Sequence, residues 1–253
     1  MDYRLLMDTA ILAGEIMLKS GAETYRAEDT MAHILKVSGL EKVETYVTMT
    51  GIMAMIDDAS LERPYSVINR VDTRGTYLDR VMKVNDISRR YCAGELSLEE
   101  ANTLLKKVEE KQYSIKDYNI AIILITVGFA MFFGGGMKEV LGAGIVGIVE
   151  AFLITLCKRL RFNTIIHNIV TSAGIAGASY LIFKLAFLKM DMDIVIISAI
   201  MPLVPGVAIT NAIRDTLQGD YLSGSARMLE AFVKASTIAL GIGLGLAVCA
   251  KIF

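Results

Sequence analysis

The chain has 253 residues, 54% of them hydrophobic and 21% charged, and its formal net charge of −1 hides an uneven distribution along the sequence. Residues 1–118 carry 16 Lys/Arg and 20 Asp/Glu, whereas residues 119–253 carry 10 and 7, mostly between long apolar runs. This division excludes a single soluble globule and a disordered chain, and without a basic excess we expect no nucleic-acid partner. Three well-separated cysteines and two histidines predict no disulfide framework, no metal site and no bound cofactor.

Residues 1–118 predict a small α+β domain, long enough to bury a core of its own. Apolar residues recur at helical spacing from the N-terminus to Gly21, and a second helix follows up to Gly39. Asp8 and Glu15 interrupt the first apolar stretch, so it does not read as a secretory signal peptide. The β-branched and aromatic stretches VETYVTMTGIMAMID and PYSVINRVD predict three strands.

Two more helices are predicted before residue 118. The first ends near Gly94, and the second begins with Ser97 and Glu100, which have the spacing of a capping box. The predicted order is therefore two helices, three strands and two helices.

The second half predicts an all-α membrane domain of five transmembrane helices. Each apolar run is long enough to cross a hydrocarbon core of about 30 Å at a rise of about 1.5 Å per residue. We place the spans near 119–135, 139–157, 165–187, 194–213 and 230–250. The second and fourth runs contain polar or helix-breaking residues, so their prediction is weaker than that of the other three.

The positive charges between the spans predict an orientation in a bacterial-type inner membrane. Lys158, Arg159 and Arg161 lie between the second and third spans, and the loop after the fourth span carries Arg214 and Arg227. The positive-inside rule places these loops in the cytoplasm, together with the N-terminal domain. Because five is an odd number, the C-terminus is then expected outside.

Polar residues inside two predicted spans are candidates for a transport site. Glu150 interrupts the middle of the second span, and Asn168 and Ser172 share one face of the third. An ionisable group at mid-membrane costs about 2.5–3.5 kcal/mol on insertion scales, so its presence needs a reason. Glu150 suits a substrate, cation or proton site, although an internal packing contact is the alternative.

The fourth predicted span contains the strongest local signal. Pro202, Pro205 and Gly206 lie within its apolar run, and each proline removes a backbone donor and opposes the helix. Breaks of this kind are tolerated in lipid where they face protein or a cavity, and they form binding sites in transporters. Asn211 and Asp215 follow on one polar face. A structural kink and solvated anchors are the alternative readings.

Two stretches of the sequence carry a resemblance to a known family. They are GAETYRAEDTMAHIL, with its sequel VETYVTMTGI and INRVDTRGTYLDRV, and PLVPGVAITNAIRDTLQGDYLSGSARMLEA. The chain resembles the threonine/serine exporter family, and in particular a shorter type similar to the larger subunit of a two-subunit succinate exporter. The resemblance implies export of threonine, serine or a dicarboxylate, driven by the proton-motive force. It also implies a separate small five-span partner subunit or a homo-oligomer.

Four residues of the resembling segments are candidates in the soluble domain: Glu23, Arg26, Thr50 and Arg70. The simpler interpretation is surface ion pairing. The sequence shows no GxSxG, Cys–His or phosphate-loop motif, which argues against an enzyme. We therefore favour an exporter subunit, with two alternatives left open. One is a channel-like or assembly subunit without a transport cycle, and the other is a membrane-tethered hydrolase acting through residues 1–118.

Overall fold

A computed structural model describes residues 2–72, 74–108, 113–185 and 190–252. Their contacts divide the chain into two compact units. The first unit consists of Met1–Glu110 and Gly206–Leu229, and the second of Lys111–Pro205 and Glu230–Phe253. The predicted domain boundary at residue 118 stays a prediction, and each unit is described by itself below.

The elements follow one another as helices, a sheet and helices again. In chain order they are α1 (Tyr3–Lys19), α2 (Thr24–Lys36), β1 (Lys42–Thr48), β2 (Gly51–Asp57), β3 (Tyr65–Arg70), α3 (Leu78–Cys92), α4 (Leu98–Val108), α5 (Ile115–Phe132), α6 (Met137–Arg159), α7 (Thr164–Leu185), α8 (Met192–Ile200), α9 (Gly206–Leu217) and α10 (Tyr221–Ile252).

In the first unit, α2, α3 and α4 pack around α1. Asp2 caps the N-terminus of α1 by accepting hydrogen bonds from the backbone N–H groups of Arg4 and Leu5. Gly21, at a φ of +84°, follows its C-terminus in the left-handed conformation that favours glycine. The buried apolar residues of α1 contact α2, α3, α4 and β2. The first four predicted helices are confirmed, including the capping box of Ser97 and Glu100.

The three predicted strands form one antiparallel sheet in the order β1-β2-β3. Val47 on β1 is paired with Ile52 on β2, and both are buried with Ala54 and Ile56. Successive side chains of a strand point to opposite faces, so this pairing gives the sheet one face that packs on the helices. The strand prediction is confirmed.

The second unit is helical. In it α6 packs against α5 and α7, and α8 contacts α5, α6 and α7. The described residues include four helices that are long and apolar enough to cross a membrane: Ile115–Phe132, Met137–Arg159, Thr164–Lys184 and Tyr221–Ile252. These helices correspond to four of the five predicted spans, although residues 186–187 of the predicted third span lie outside the described residues.

The predicted span 194–213 is not one continuous helix. It comprises α8, which ends at Ile200, and α9, which begins at Gly206. Pro202 and Pro205 have no N–H to donate, and Pro205 also disfavours helical backbone at Val204. At about 1.5 Å per residue, neither the nine residues of α8 nor the twelve of α9 cross about 30 Å alone. The count of five spans is therefore not confirmed.

Two glycines bring α10 close to α7 in the second unit. A Cβ on Gly241 would lie 2.5 Å from the carbonyl oxygen of Ile169 and would also meet the hydroxyl of Ser172. A Cβ on Gly245 would lie 3.0 Å from Cα of Ala173. Small residues allow this approach between membrane helices, where packing contributes much of the association energy.

We expect Gly241→Ala to lower the thermal unfolding temperature of the full chain in detergent. The new methyl group meets backbone atoms, which cannot rotate away, and overpacking of this kind costs about 1–3 kcal/mol. Gly243→Ala is the matched control, because a Cβ there meets nothing within 4 Å. Equal unfolding temperatures for the two variants would contradict the packing described for α7 and α10.

Candidate functional site

Glu150 is a fully buried carboxyl in the second unit, in the middle of α6. Its Oε2 lies 3.2 Å from the hydroxyl of Thr126 on α5, which is itself buried and 3.0 Å from the carbonyl oxygen of Ile122. Its Oε1 is buried and has no hydrogen-bond partner among the described residues. A buried carboxyl group with an unused oxygen is costly unless it binds a proton or a cation.

The interrupted segment before α9 lies beside this part of α6. Leu203, between Pro202 and Pro205, packs against the apolar cluster that contains Val146 and against the one that contains Ile154. Val146 and Ile154 lie one helical turn before and one turn after Glu150, on the same face of α6. The structure therefore places the interrupted segment after α8 alongside the turns of α6 that carry Glu150. Pro205 is buried and Pro202 is half-buried.

Asn168 and Ser172 lie where α7 meets α10. The side chain of Asn168 donates to the hydroxyl of Thr237 at 3.2 Å, and the Ser172 hydroxyl donates to the Asn168 carbonyl oxygen at 2.6 Å. Both side chains are buried. Each of the two candidates therefore has a hydrogen-bond partner within the chain.

A buried polar network forms in the first unit around Asp215 of α9. Its carboxylate accepts hydrogen bonds from the backbone N–H and the hydroxyl of Thr24, at 3.2 and 2.9 Å. Its other oxygen lies 2.9 Å from Nε of Arg227, and the two side chains are 0% and 6% exposed. Burial raises the pKa of Asp215, while Arg227 and the Thr24 hydrogen bonds oppose that rise.

The same network holds the loop between α1 and α2. Arg227 donates to the Ala22 carbonyl oxygen at 2.8 Å, and Asn211 donates to that of Gly21 at 2.7 Å. The Thr24 hydroxyl also lies 3.0 Å from Asp220, whose carboxylate caps α10 by accepting from Ser223 N–H. The network therefore links the C-terminal end of α1 and the start of α2 to α9 and to the first turns of α10.

Glu23 adds an ion pair at the edge of the network. It is buried, and its carboxylate accepts from Arg214 and lies 3.4 Å from Nη1 of Arg26. Burial acts to raise the pKa of Glu23, but its backbone hydrogen bond, Arg214 and Arg26 together hold that pKa below its ordinary value. The structure thus joins four sequence-predicted candidates: Glu23, Arg26, Asn211 and Asp215.

The remaining candidates of the first unit do not join this network. Thr50 is exposed in the turn between β1 and β2, where its carbonyl oxygen accepts from Val71 N–H. Arg70, at the end of β3, is 84% exposed and forms an ion pair with Asp72 at 2.8 Å. Gly206 is the exposed first residue of α9.

Comparison with known families is decisive for the class of the protein. The model of the family described as "Putative threonine/serine exporter" matches residues 8–249. The chain belongs to the threonine/serine exporter family. Together with the four apolar helices, this membership makes the chain a multi-pass membrane protein.

Two curated relatives show how much of a family member this chain represents. It is 24% identical over 254 residues to the "Threonine/serine exporter" of Corynebacterium glutamicum, covering 95% of this chain and 50% of that protein. It is also 24% identical over 250 residues to the "Probable threonine/serine exporter" of Mycobacterium tuberculosis, covering 96% of this chain and 46% of the relative. The chain therefore spans about half the length of both relatives. No solved structure matches the chain.

The sequence does not mark several residues that belong to the two sites of this exporter-family chain. Thr126 and Thr24 are the hydroxyl partners of the buried carboxylates, and the sequence indicates Arg227 only as a loop charge. A usable signal existed for Arg227 alone, because a cation at the edge of an apolar run calls for an acidic partner. The two threonines look ordinary in the sequence.

Within the described residues no group of three or more His, Cys, Asp or Glu side chains is arranged to hold a metal ion. The two candidate sites therefore differ in chemistry. In the network around Asp215, one carboxylate oxygen accepts two hydrogen bonds from Thr24, and the other forms an ion pair with Arg227. Glu150 has a hydroxyl beside one oxygen and no hydrogen-bond partner for the other among the described residues.

Proposed function

We propose that the chain forms part of a secondary-active exporter in the cell membrane, which moves a small carboxylate-bearing metabolite out of the cytoplasm. Threonine, serine and a dicarboxylate such as succinate are the candidate substrates. Membership of the exporter family and the four apolar helices support the proposal. The absence of a phosphate-loop motif in the sequence favours an ion gradient over ATP as the energy source.

The observation that carries this proposal is the unused oxygen of Glu150 inside the apolar second unit. A carboxyl group at this position suits the exchange of a proton or a cation better than packing. A leucine or glutamine would fill the same space at a lower free-energy cost of burial. Alternate loading of Glu150 from the two sides of the membrane would couple transport to the gradient.

The break at Pro202 and Pro205 supports a substrate site next to Glu150. Backbone that leaves the helix exposes polar groups, and in lipid it is tolerated where it faces protein or a cavity. Leu203 holds this backbone against α6 on both sides of Glu150. The affinity for substrate that contacts the break would therefore depend on whether Glu150 has bound a proton or a cation.

For the arrangement in the membrane we retain the orientation expected from the loop charges, with the N-terminal domain in the cytoplasm and the C-terminus outside. The relatives are about twice as long as the aligned region. We propose that transport requires a counterpart of their other half, supplied as a separate small five-span chain or by a second copy of this one.

Proteoliposomes that contain the full chain, with and without the counterpart, test the proposal. They are loaded with radiolabelled threonine, serine or succinate, and efflux is followed after a pH gradient is imposed. We expect one substrate to leave faster than from empty vesicles, and a protonophore to remove the difference. Efflux that no ion gradient changes would instead indicate a channel-like subunit, and efflux of none of the three would overturn the proposal.

A further inference from the structure

Two buried polar atoms of α7 lack a partner from the described chain. They are Nε2 of His167 and Oγ1 of Thr171. Thr171 is 0% exposed, and the two residues are four apart, so they lie on one face of the helix. Buried polar atoms are nearly always hydrogen-bonded in native proteins, so this face calls for a partner from outside the chain.

The surroundings of this face are basic. Among the described residues, Lys158, at the end of α6, and Lys234, on α10, are close enough to act electrostatically on the His167 ring. Lys158 also lies over the ring of Tyr118, with Nζ 4.0 Å from the ring centre. The acidic residue closest to Lys234 along α10 is Glu230, one helical turn earlier. All these groups belong to the second unit.

Hydrogen-bond chemistry selects the kind of ligand. Ammonium groups are donors without acceptor capacity, a hydroxyl can donate, and Nε2 of His167 donates in the tautomer that carries a proton there. The side-chain amide of Asn168, next to His167, already donates to the hydroxyl of Thr237. A group that only accepts fits this set, and a carboxylate offers two oxygens and a negative charge.

We propose that Lys158, His167, Thr171 and Lys234 form a binding site for the carboxylate of the exported metabolite, at the end of the membrane unit where α6 gives way to α7. This inference rests on the proposed function and specifies the substrate class. By the loop charges this end faces the cytoplasm, so the site would receive substrate on the entry side. A lipid phosphate offers the same oxygens, and the experiment separates the two sources.

Binding of succinate and of L-threonine is measured with the full chain in nanodiscs of phosphatidylcholine. We expect Thr171→Val to weaken binding about 10- to 100-fold, the usual loss for one hydrogen bond to a charged group. Lys234→Met is expected to weaken it at least as much. Ser179→Ala is the matched control on α7, because the buried Ser179 hydroxyl donates to the Ile175 carbonyl oxygen at 2.8 Å.

A thermal unfolding measurement distinguishes a binding role from a packing role. Removing an unpartnered hydroxyl by a substitution of equal shape is neutral or stabilising, so Thr171→Val is expected to keep the unfolding temperature while losing binding. A lower unfolding temperature with unchanged binding would overturn the site. A second result would also overturn the site. In it, neither the parent nor the variants bind succinate or threonine, but phosphatidylglycerol stabilises the parent and not the variants. The ligand of the site would then be a lipid.

The proposed function and this site fail in different ways. If gradient-driven efflux occurs and the KM of efflux is the same in the parent, Thr171→Val and Lys234→Met, the exporter stands and the site is wrong. If carboxylate binding depends on Thr171 but no gradient drives efflux, the site stands as a binding site and secondary transport is wrong.

Discussion

Replacing Arg227 by methionine is expected to destabilise the first unit locally and to lower its free energy of local opening by about 3–5 kcal/mol. The variant leaves the Asp215 carboxylate fully buried without its cation, 2.9 Å from where Nε stood. It also removes the donor to the Ala22 carbonyl oxygen. Methionine keeps much of the length of the arginine stem, so the change tests the charge and the hydrogen bond more than the packing.

Hydrogen exchange of the full chain in detergent measures this effect directly, because it reports the free energy of local opening. A factor of ten corresponds to about 1.36 kcal/mol, so the amides of residues 21–27 and 207–229 should exchange roughly 100- to several thousand-fold faster. Arg70→Met is the matched control. Its ion pair with Asp72 is mostly exposed, and such pairs contribute about 0–1 kcal/mol.

A second substitution identifies the cause of the loss. Asp215→Asn keeps an acceptor for Thr24 but removes the charge, so in the Arg227→Met background it should recover part of the protection. If Arg227→Met exchanges no faster than Arg70→Met, the buried ion pair does not hold these segments together. If the double variant recovers nothing, the loss comes from packing or from the Ala22 bond.

The elements from α1 to α4 could be predicted because their signals are local. Gly21, Gly39 and Gly94 have positive φ at the ends of three helices, and the spacing of Ser97 and Glu100 predicted the capping box that forms. The alternation of side chains in β1 and β2 is likewise a property of neighbouring residues. Each of these features is determined by residues that are close together in the sequence.

The network around Asp215 could not be predicted, because nothing local selects its partners. Thr24 and Asp215 are 191 positions apart, and a threonine at the start of a helix is ordinary. The hydropathy of residues 194–213 was misleading for a related reason. The average over the run indicates one span although the prolines indicate a break, and it conceals that the helix after the break, α9, buries Asn211 and Asp215.

Glu150 was a candidate from the sequence, since an acidic residue interrupts an apolar run. What the sequence could not show is the state of its two oxygens. One is paired with Thr126 and the other is unused among the described residues. A carboxyl group with an unused oxygen is available for coupling, whereas one with both oxygens bonded is a packing contact. The difference depends on Thr126 of α5, which lies twenty-four residues away in sequence.

Glu150→Gln is therefore expected to reduce gradient-driven efflux to the level of empty vesicles. The amide has the size of the carboxyl and retains an oxygen that can accept from Thr126, so α5 and α6 should pack as before. It cannot take up and release a proton at physiological pH, nor balance a cation's charge. Exchange of labelled for unlabelled substrate without a gradient should persist, because that reaction requires substrate binding but no net coupling.

Glu139→Gln is the matched control for this variant, because it makes the same substitution on the same helix. Glu139 lies in the first turn of α6, where its carboxylate accepts from Asp191 N–H at 2.9 Å, and an amide oxygen can accept there as well. Its efflux should stay close to that of the parent chain. Gradient-driven efflux of Glu150→Gln equal to that of Glu139→Gln would mean that Glu150 is a packing residue, and that the coupling group lies elsewhere. Loss of both efflux and exchange in Glu150→Gln would place Glu150 in substrate binding instead of coupling.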